Sequence, residues 1–566
     1  MDLSAQIDSS SIFFDWDDDS STESDSGISS VSSDSFVNPF DHNDSSFIST
    51  VTNIAKDISL QSSSYSKALI DFTISGLISN DTFIRRSAAV FLWQLLRACN
   101  MPFYDGIETK EKMMLLLKAS DDLIVSLEAA LKLDSFSNQM LYWVSGCFHY
   151  ISRTPFGCEM LLKNNSDILI SMLNCELQAV VFYSITTLHN ILLTCPCPYR
   201  GVHLTNCINN IIDKIHKPSN LGETKFKLLA ICIDCLSNLS YHNNAVKIQI
   251  SRHISAIQII ISNLVAYSNN EKLLLLGLKL LKILSTDQSA KFKISSNSNF
   301  AILVLNLFKS KSKMNSNVWL VMFLTLRNLS DILFQPKSDF WKVYHDVLYQ
   351  ICLRFDEISC LENDGLLQCA VGILANASCD CPQNKSLLVK TKVLDSILKT
   401  LSVTTDKFKL WSGETLEAMY RCLHHLCSNH ERSLYVINKC LMSDMNFLTN
   451  ASHIIILNSS KDISFANILS QSLTDIPISW SILRAWLGLV RHLFIHINNN
   501  PTKFKTQLKQ TNFINRIIDL LSGFRRQIEN NYQIFLNPIS EIQDLPSVQF
   551  LNQLHSNLVY FEGIKK

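Results

Sequence analysis

A polar side chain recurs inside runs of aliphatic residues at nearly regular intervals along this chain. Its positions are His149, Asn190, Asn238, Lys282, Asn328, Asn376, His425 and His492, and neighbours up to His425 lie 41 to 49 residues apart. A period of this length is typical of armadillo or HEAT repeats, short helices that stack so that each repeat buries its apolar surface against its neighbours. A chain of 566 residues therefore need not divide into several globular domains.

Residues 180–193, VVFYSITTLHNILL, show the pattern most clearly. At about 3.6 residues per turn, one side of a helix here is apolar and a narrow strip is polar. The apolar members are Phe182, Ile185, Leu188 and Leu192, and the polar members are Tyr183, Thr187, Asn190 and Thr194. We expect a helix that is buried on most sides, and we expect the polar strips of stacked helices to line one groove.

Charge is distributed unevenly although the net charge is zero. Residues 1–50 contain eleven acidic side chains and no Lys or Arg, which leaves 39 acidic against 50 basic residues in the remainder. The Ser- and Asp-rich tail has too few aliphatic residues to order itself. The charge of +11 on the rest favours a basic groove that binds acidic, extended partners. The alternative is a positively charged surface that is simply solvated.

The cysteines and the apolar runs limit the classes of site and compartment. Seventeen cysteines, an odd number spread through helical segments, predict a reducing compartment without a disulfide framework. The Cys-x-Cys pairs at 195–197 and 379–381 are spaced too closely for a zinc knuckle, so we expect no metal and no cofactor. The start resembles no signal peptide, and Lys279 and Lys282 interrupt the most apolar run. We therefore expect a soluble intracellular protein without membrane insertion.

Three regions are expected along the chain. Residues 1–50 form a disordered acidic tail, residues 51–530 form about nine to ten helical repeats, and residues 531–566 form a C-terminal segment. A helix at 547–561 in that last segment is expected to cover the end of the stack. A long insertion rich in Asn and Ser is expected between His430 and Ile476.

Several sequence runs resemble the β-catenin family of armadillo proteins. They are FYSITTLHNILL at 182–193, YHNNAVK at 241–247, TLRNLSD at 325–331, and Asn376 followed nine residues later by Lys385. The resemblance covers about residues 65–525 and implies an all-α, right-handed armadillo-repeat solenoid with a disordered acidic N-terminal tail. The chain stops in what resembles the tenth repeat, which implies a divergent and C-terminally shortened member.

The resemblance also implies a partner-binding groove. In that family the groove binds acidic segments of cadherin cytoplasmic tails, T-cell factor proteins, Axin and the adenomatous polyposis coli protein. Two lysines that clamp partner carboxylates match Lys247 and Lys385. Other groove positions match His189, Asn190, Tyr241, Asn243, Arg327, Asn328, Asn376, His425, Trp480 and Arg491. An Asn amide suits the backbone of an extended peptide and a Lys suits carboxylates. The alternative for Lys247 is a solvated surface lysine, worth about 0–1 kcal/mol in an ion pair.

The tail contains DSGISS at 25–30, which resembles the phosphodegron of the same family. This implies phosphorylation of Ser26 and Ser30 by glycogen synthase kinase and capture by an F-box ubiquitin ligase. The family continues its phosphorylation relay with hydroxyl residues where this chain has Asp34 and Asn38.

Other departures from the family lie in the groove and before the first repeat. Leu324 replaces a Trp, His424 replaces an Arg, and Asp380 replaces an Asn close to Lys385. The α-catenin site would fall near residues 51–63, where little resembles it. Adhesion through α-catenin is therefore less secure than peptide binding.

The predicted function is a non-enzymatic, β-catenin-like scaffold in Wnt signalling or cell adhesion, including a role as transcription coactivator, with turnover controlled by phosphorylation. It is expected in the cytoplasm, the nucleus and adherens junctions, without direct nucleic-acid binding. One alternative is a shortened antagonist that sequesters partners. Another is a nuclear import receptor, but no Trp here has the Asn one turn later that such a receptor uses. An enzyme is disfavoured because phosphate-loop, nucleophile-elbow and HExxH motifs are missing, and because His424, His425 and His430 suit helix positions better than a metal site.

Overall fold

The computed structural model describes the repeat region in segments. These are residues 50, 53–54, 63–99, 113–118, 122–194, 207–216, 224–309, 316–334, 340–402, 411–442 and 478–499, apart from 115, 165 and 362. Within these segments the regular structure is helical and includes no strand, which confirms the all-α prediction. Two compact units divide between Val246 and Lys247. The acidic tail with Ser26 and Ser30, and the helix expected at 547–561, lie outside the described residues.

Helices of 8 to 22 residues follow one another in both units. Unit 1 contains α1 Ser63–Leu77, α2 Thr82–Cys99, α3 Leu123–Leu133, α4 Asn138–Ile151, α5 Pro155–Asn164, α6 Ser166–Leu173, α7 Gln178–Thr194, α8 Cys207–His216 and α9 Thr224–Ser240. Helix α10, Asn244–Arg252, spans the division. Unit 2 contains α11 Ala256–Ala266, α12 Glu271–Leu284, α13 Gln288–Ser295, α14 Ser298–Lys309, α15 Ser316–Leu333, α16 Trp341–Cys360, α17 Asp364–Ser378, α18 Pro382–Lys390, α19 Val393–Leu401, α20 Gly413–Leu426, α21 Ser433–Met442 and α22 Ile478–Asn499.

The recurring polar position always falls on the long helix that ends a repeat, here called the third helix. The third helices are α4, α7 and α9 in unit 1, and α12, α15, α17, α20 and α22 in unit 2. Within each unit every third helix packs on the next, while α11, α14, α16 and α19 pack on one another as a second layer. This is the stacking of an armadillo-repeat solenoid, as the period predicts.

Polar residues define where many third helices begin. A side-chain oxygen accepts a hydrogen bond from a backbone N–H of the first turn and so satisfies a donor that the helix leaves unpaired. The capping residues are Ser137 for α4, Asn270 for α12, Asn363 for α17 and Ser412 for α20. In these four repeats the third helix therefore begins at a capping residue that the sequence supplies locally.

A buried ion pair anchors the start of the stack in unit 1. Asp134, just after α3, lies 3.4 Å from Nη2 of Arg85 and 3.1 Å from Nε of Arg86. The side chains of Arg85 and Asp134 are both 4% exposed, and the hydroxyl of Ser137 also donates to Asp134. Burial alone would raise the pKa of Asp134, but the hydrogen bonds from Ser137 and Arg86 lower it.

The polar strip predicted on α7 is wrong at two of its four residues, Tyr183 and Thr187. Tyr183 and Thr187 are 3% and 0% exposed, whereas Thr186 and Asn190 are partly exposed. Thr187 tolerates burial because its hydroxyl donates to the carbonyl oxygen of Tyr183 at 2.7 Å, within its own helix. Tyr183 is buried with its ring 5.9 Å from that of Tyr142 on α4. A pattern that counts Thr and Tyr as exposed polar residues therefore selects the wrong edge.

Four other observations bear on the sequence-based expectations. The expected insertion after His430 is not wholly irregular, because α21 forms at Ser433–Met442. The described cysteines are free thiols. None of the described helices is long and apolar enough to span a bilayer. Among the described residues no group of three or more His, Cys, Asp or Glu side chains is placed to bind a metal ion.

Candidate functional site

Side-chain hydrogen bonds join successive third helices along their recurring polar positions. In unit 2, Nδ2 of Asn328 donates to Oγ of Ser285 at 2.9 Å. One repeat later, Nδ2 of Asn376 donates to Oγ of Ser330 at 2.7 Å. We call this series the amide ladder: each Asn reaches back to a Ser at the end of the preceding third helix. The predicted groove amides are therefore engaged between repeats before any partner is present.

The same bond occurs in unit 1. Nδ2 of Asn190 on α7 donates to Oγ of Ser152, the residue that follows α4, at 3.0 Å. His149 on α4 is 6% exposed, and its Nδ1 lies 2.8 Å from Oγ1 of Thr186. Burial, assisted by the charge of Arg153, lowers the pKa of His149 to about 3. His149 is therefore an uncharged packing residue at neutral pH.

The predicted groove residue His189 has an acidic partner. Its Nε2 lies 2.7 Å from Oδ2 of Asp234 on α9, and both side chains are only partly buried. On the same helix, Nδ2 of Asn238 donates to the carbonyl oxygen of Asp234 at 3.0 Å. Unit 1 therefore presents a carboxylate at its recurring polar positions, which the expectation of a uniformly basic groove did not include.

Tyr241 and Asn243 occupy the turn between α9 and α10. Tyr241 is 38% exposed and its ring centroid lies 4.1 Å from that of His242. His242 has a φ of 54°, a left-handed conformation that turns the chain. The Oδ1 atom of Asn243 accepts from the backbone N–H of Val246 at 3.2 Å and so caps α10. Tyr241 thus offers an exposed ring, whereas Asn243 is engaged in starting a helix.

Three lysines of unit 2 occupy the same position in the first helix of a repeat and reach the end of a third helix. Lys247 Nζ donates to Oγ1 of Thr286 at 2.9 Å, Lys291 Nζ lies 2.7 Å from Oδ2 of Asp331, and Lys385 Nζ donates to the carbonyl oxygen of Ser428 at 2.8 Å. The C-terminal end of a helix carries partial negative charge, which favours a cation there. We call these three residues the lysine row. Lys247 and Lys385 match the lysines predicted from the sequence, whereas Lys291 was not predicted.

The two predicted clamp lysines differ in their accessibility. Lys385 is 2% exposed, and burial lowers its pKa despite the opposing charge of Asp380. Lys247 is partly exposed and its described acceptor is a neutral hydroxyl. The ammonium group of Lys247 is therefore accessible from the surface, and its role in a groove stays a prediction, whereas Lys385 lies beneath the surface and donates to its own chain.

Large side chains cover glycines on the next third helix. A Cβ atom added to Gly372 on α17 would lie 3.2 Å from Nε of Arg327 on α15. A Cβ atom added to Gly488 on α22 would lie 2.9 Å from the ring of His424 on α20. The predicted groove residue Arg327 is therefore packed flat across its neighbouring repeat, and His424 has the same relation at a later junction.

The remaining predicted residues cluster around α20 and α22. Nδ1 of His425 lies 3.0 Å from the carbonyl oxygen of Ala375, where it donates as the ladder amides do. Arg421, which the sequence analysis missed, donates to Oδ1 of Asn376 at 2.8 Å. Arg491 is exposed on α22. Trp480 lies near the start of α22, and its side chain is outside the described part of the chain.

The serines of the ladder had a sequence signal that was not used. Ser152 and Ser285 follow the recurring polar position by three residues, and Ser330 and Ser378 follow it by two. A buried amide needs a partner, so a Ser at this offset in each repeat predicts the bond.

Comparisons with known proteins agree with this geometry. No family model matches the chain. Junction plakoglobin of Xenopus laevis is 26% identical over 375 residues, covering 66% of this chain and 44% of the relative. Catenin beta of Urechis caupo is 25% identical over 378 residues, covering 67% and 40%. The β-catenin-like protein hmp-2 of Caenorhabditis elegans is 28% identical over 257 residues, covering 45% and 35%.

A solved structure from work on a phosphorylation switch that controls the interaction between cadherin and β-catenin has the same fold. Its TM-score is 0.54 at 17% identity, and the match covers 87% of this chain and 99% of that one. The chain is similar in sequence to plakoglobin and β-catenin and has the armadillo-repeat fold. This armadillo protein spans less than half the length of the curated relatives it matches.

Proposed function

We propose that this armadillo protein is a non-enzymatic scaffold whose unit 2 binds extended acidic peptides, with a cadherin cytoplasmic tail as the first partner. The observation that carries the proposal is the lysine row, which places cations at the ends of the third helices α12, α15 and α20, beside the amide ladder. The likeness to a fold studied with cadherin supports this choice of partner.

Lys247 is the main anchor in this proposal. Its ammonium group donates to the hydroxyl of Thr286, a neutral acceptor that a partner carboxylate displaces at low cost. Lys291 contributes less, because Asp331 already neutralises it at 2.7 Å. A bound strand covers Lys247 and removes water from around it, which makes its ion pair stronger than an exposed one.

The amides of the ladder read the backbone of the bound strand. An Asn side chain carries two N–H donors and a carbonyl acceptor. In unit 2, the bond from Asn376 to Ser330 uses one of these donors. The ladder fixes the orientation of each amide, so a peptide that binds there meets groups that need no further ordering.

A charge-reversal pair tests this proposal. Lys247→Glu is compared with Lys342→Glu, which reverses an exposed lysine on α16 in the second layer. Binding of a fluorescent cadherin-tail peptide is measured by anisotropy on the full chain. We expect Lys247→Glu to weaken binding by at least about 30-fold, in line with about 2–5 kcal/mol for a desolvated charge pair. The change at Lys342 should alter affinity by about threefold or less.

Equal losses in the two variants would mean that the peptide senses only the net charge, which would refute a site at the lysine row. The absence of peptide binding in the folded wild type would refute the proposed function as a whole.

The finer roles are proposals that follow from the resemblance. T-cell factor, Axin and adenomatous polyposis coli fragments are acidic partners for the same surface, and they belong in the binding panel beside the cadherin tail. Phosphorylation of Ser26 and Ser30 with capture by an F-box ligase would set the level of the protein in Wnt signalling. Replacing both serines with Ala should lengthen its cellular half-life, and an unchanged decay rate would remove the phosphodegron.

The cellular location follows from the partner. A cadherin-bound fraction would lie at adherens junctions, and a T-cell-factor-bound fraction in the nucleus. Imaging of the wild type beside Lys247→Glu separates these pools from unbound protein in the cytoplasm, because the variant should leave the junction.

A further inference from the structure

Three histidines from two adjoining third helices lie together in unit 2. The ring centroid of His424 on α20 is 5.7 Å from that of His425 and 5.1 Å from that of His492 on α22. The ring of His424 packs against Gly488, where a Cβ atom would come within 2.9 Å. All three histidines are partly buried, so a bound partner can reach them from the surface.

The charged groups around these rings are mostly positive. Lys385 faces all three from α18, with its Nζ 2.8 Å from the carbonyl oxygen of Ser428. The other groups are Arg421 from α20, Arg484 and Arg491 from α22, and Asp380 from the turn between α17 and α18. Arg421 also pairs with Glu417 at 2.9 Å on its own helix. A proton added to any of the three rings therefore meets more repulsion than attraction.

This environment keeps the histidines uncharged at neutral pH. The pKa of His424 is lowered to about 4, mainly by burial. Neighbouring groups that carry or can gain positive charge lower it further: His492, His425, Lys385 and Arg484. Burial together with nearby cations also lowers the pKa of His425 and of His492. The site consequently combines the ammonium group of Lys385 with three neutral imidazoles, which gain a proton only when a negative group offsets the surrounding positive charge.

We infer that His424, His425 and His492 form a proton-linked subsite for a carboxylate side chain of the acidic partner, so that the partner binds more tightly as pH falls. This inference rests on the proposed function, because it assigns a role to one part of the same unit. Its ligand class is an Asp or Glu side chain of an extended peptide.

The linkage has a defined sign. A carboxylate placed among the rings offsets the repulsion and stabilises the imidazolium form, so the histidine pKa is higher in the complex than in the free protein. Binding therefore takes up a proton from solvent, and affinity rises as pH falls toward the free-state pKa. In His425, Nδ1 bonds to Ala375, so Nε2 is the nitrogen that gains the proton.

The expected change in peptide affinity with pH can be calculated from His424 alone. If the carboxylate restores His424 from about 4 to the ordinary value of about 6.5, affinity rises about tenfold between about pH 7.5 and about pH 5.5. Asp and Glu side chains of the peptide stay ionised through most of this range. A rise with falling pH therefore cannot come from the peptide, whose charge only decreases.

The packing of Arg327 at an earlier junction indicates which substitution of His424 the fold should accept. Arg327 lies flat across Gly372 at an earlier junction, in the relation that His424 has to Gly488. An arginine should consequently fit at position 424, where its charge is permanent. His345 on α16 is a matched control, since its side chain is 38% exposed and it lies in the second layer.

The experiment measures cadherin-tail peptide affinity for the full chain at about pH 7.5, 6.5 and 5.5. Wild type and His345→Gln should gain about tenfold over this range. His424→Arg should bind more tightly at pH 7.5 and gain about threefold or less. Isothermal titration near pH 6 in two buffers of different ionisation enthalpy should show proton uptake by wild type that is smaller in His424→Arg.

Each outcome separates the inference from the proposed function. Peptide binding that is sensitive to Lys247→Glu but independent of pH overturns the proton-linked subsite and leaves the proposed function standing. Equal pH dependence in wild type and His424→Arg also overturns it. Failure of the folded protein to bind the peptide at every pH overturns both.

Discussion

Asn376 is the residue through which the amide ladder most clearly contributes to stability. Its Nδ2 donates to Oγ of Ser330 at 2.7 Å, and its Oδ1 accepts from Nη1 of Arg421 at 2.8 Å. Asn376→Ala removes both bonds and leaves these partners to find water. A neutral hydrogen bond contributes about 0.5–1.5 kcal/mol and one to a charged group about 1.5–3 kcal/mol. Because Asn376 is partly exposed, we expect a loss near the lower sum, about 2 kcal/mol.

Urea and thermal unfolding of the full chain measure this loss. For a cooperative unit of about 200 residues, a loss of about 2 kcal/mol lowers the Tm by about 4–8 °C. Asn238→Ala is the matched control, since its described side-chain bond runs to the carbonyl oxygen of Asp234 within its own helix, at 3.0 Å. That substitution should cost about 0.5 kcal/mol or less, because Ala is the better helix former.

Asn376→Asp refines the test. The carboxylate keeps the bond to Arg421 as an ion pair, and the hydroxyl of Ser330 can turn to donate instead of accepting. We expect Asn376→Asp to lower the free energy of unfolding by less than half as much as Asn376→Ala does. If Asn376→Ala and Asn238→Ala shift the unfolding midpoint equally, the inter-repeat bonds contribute nothing net, and the reasoning about the ladder is refuted.

Three further predictions concern two packed glycines and the buried ion pair of unit 1. Gly146→Ala should destabilise the fold by about 1–3 kcal/mol, because its Cβ would lie 2.5 Å from Nε1 of the buried Trp93. Gly372→Ala should be neutral or stabilise the fold by up to about 0.5 kcal/mol, because the flexible side chain of Arg327 moves aside and alanine favours the helix more than glycine does. Urea unfolding of Gly146→Ala and Gly372→Ala compares the two effects. Asp134→Asn should lose about 3 kcal/mol at neutral pH by breaking the buried pair with Arg85. The pKa of Asp134 is lowered in the folded protein, so its ionised carboxylate stabilises the fold at pH values above the ordinary pKa of an aspartate, and this stabilisation is lost as pH falls below that value. The difference in unfolding free energy between wild type and Asp134→Asn should therefore become smaller at about pH 3.

The sequence predicts the third helices well because each polar position falls at a fixed place in an aliphatic run. It predicts the exposed edge of those helices less well, as α7 shows. Thr187 is fully buried because its hydroxyl bonds to its own helix, so its polarity does not mark the surface. The local pattern encodes which residues share a helix face, whereas burial depends on the neighbouring repeat.

The candidate site was predicted in part for the same reason. Asn190, Asn328 and Asn376 lie on the polar edge as expected, since their positions follow from helical periodicity. The burial of Lys385 depends on Ser428, which is 43 residues further along the chain and reaches it only through stacking. A resemblance to a family transfers the position of a lysine but not the contacts that surround it here.

A polar residue in an armadillo stack can bond to the next repeat or bind a partner, and the sequence alone does not show which of these it does. A polar group between helices must be satisfied by the next repeat, and a partner can use only what remains available. Asn376 and Lys385 have partners inside the chain, so their loss should appear first in stability. Lys247 donates to a neutral hydroxyl near solvent, so its loss should appear first in affinity. Measuring unfolding and peptide binding on the same variants therefore distinguishes residues that hold the repeats together from residues that recognise a partner.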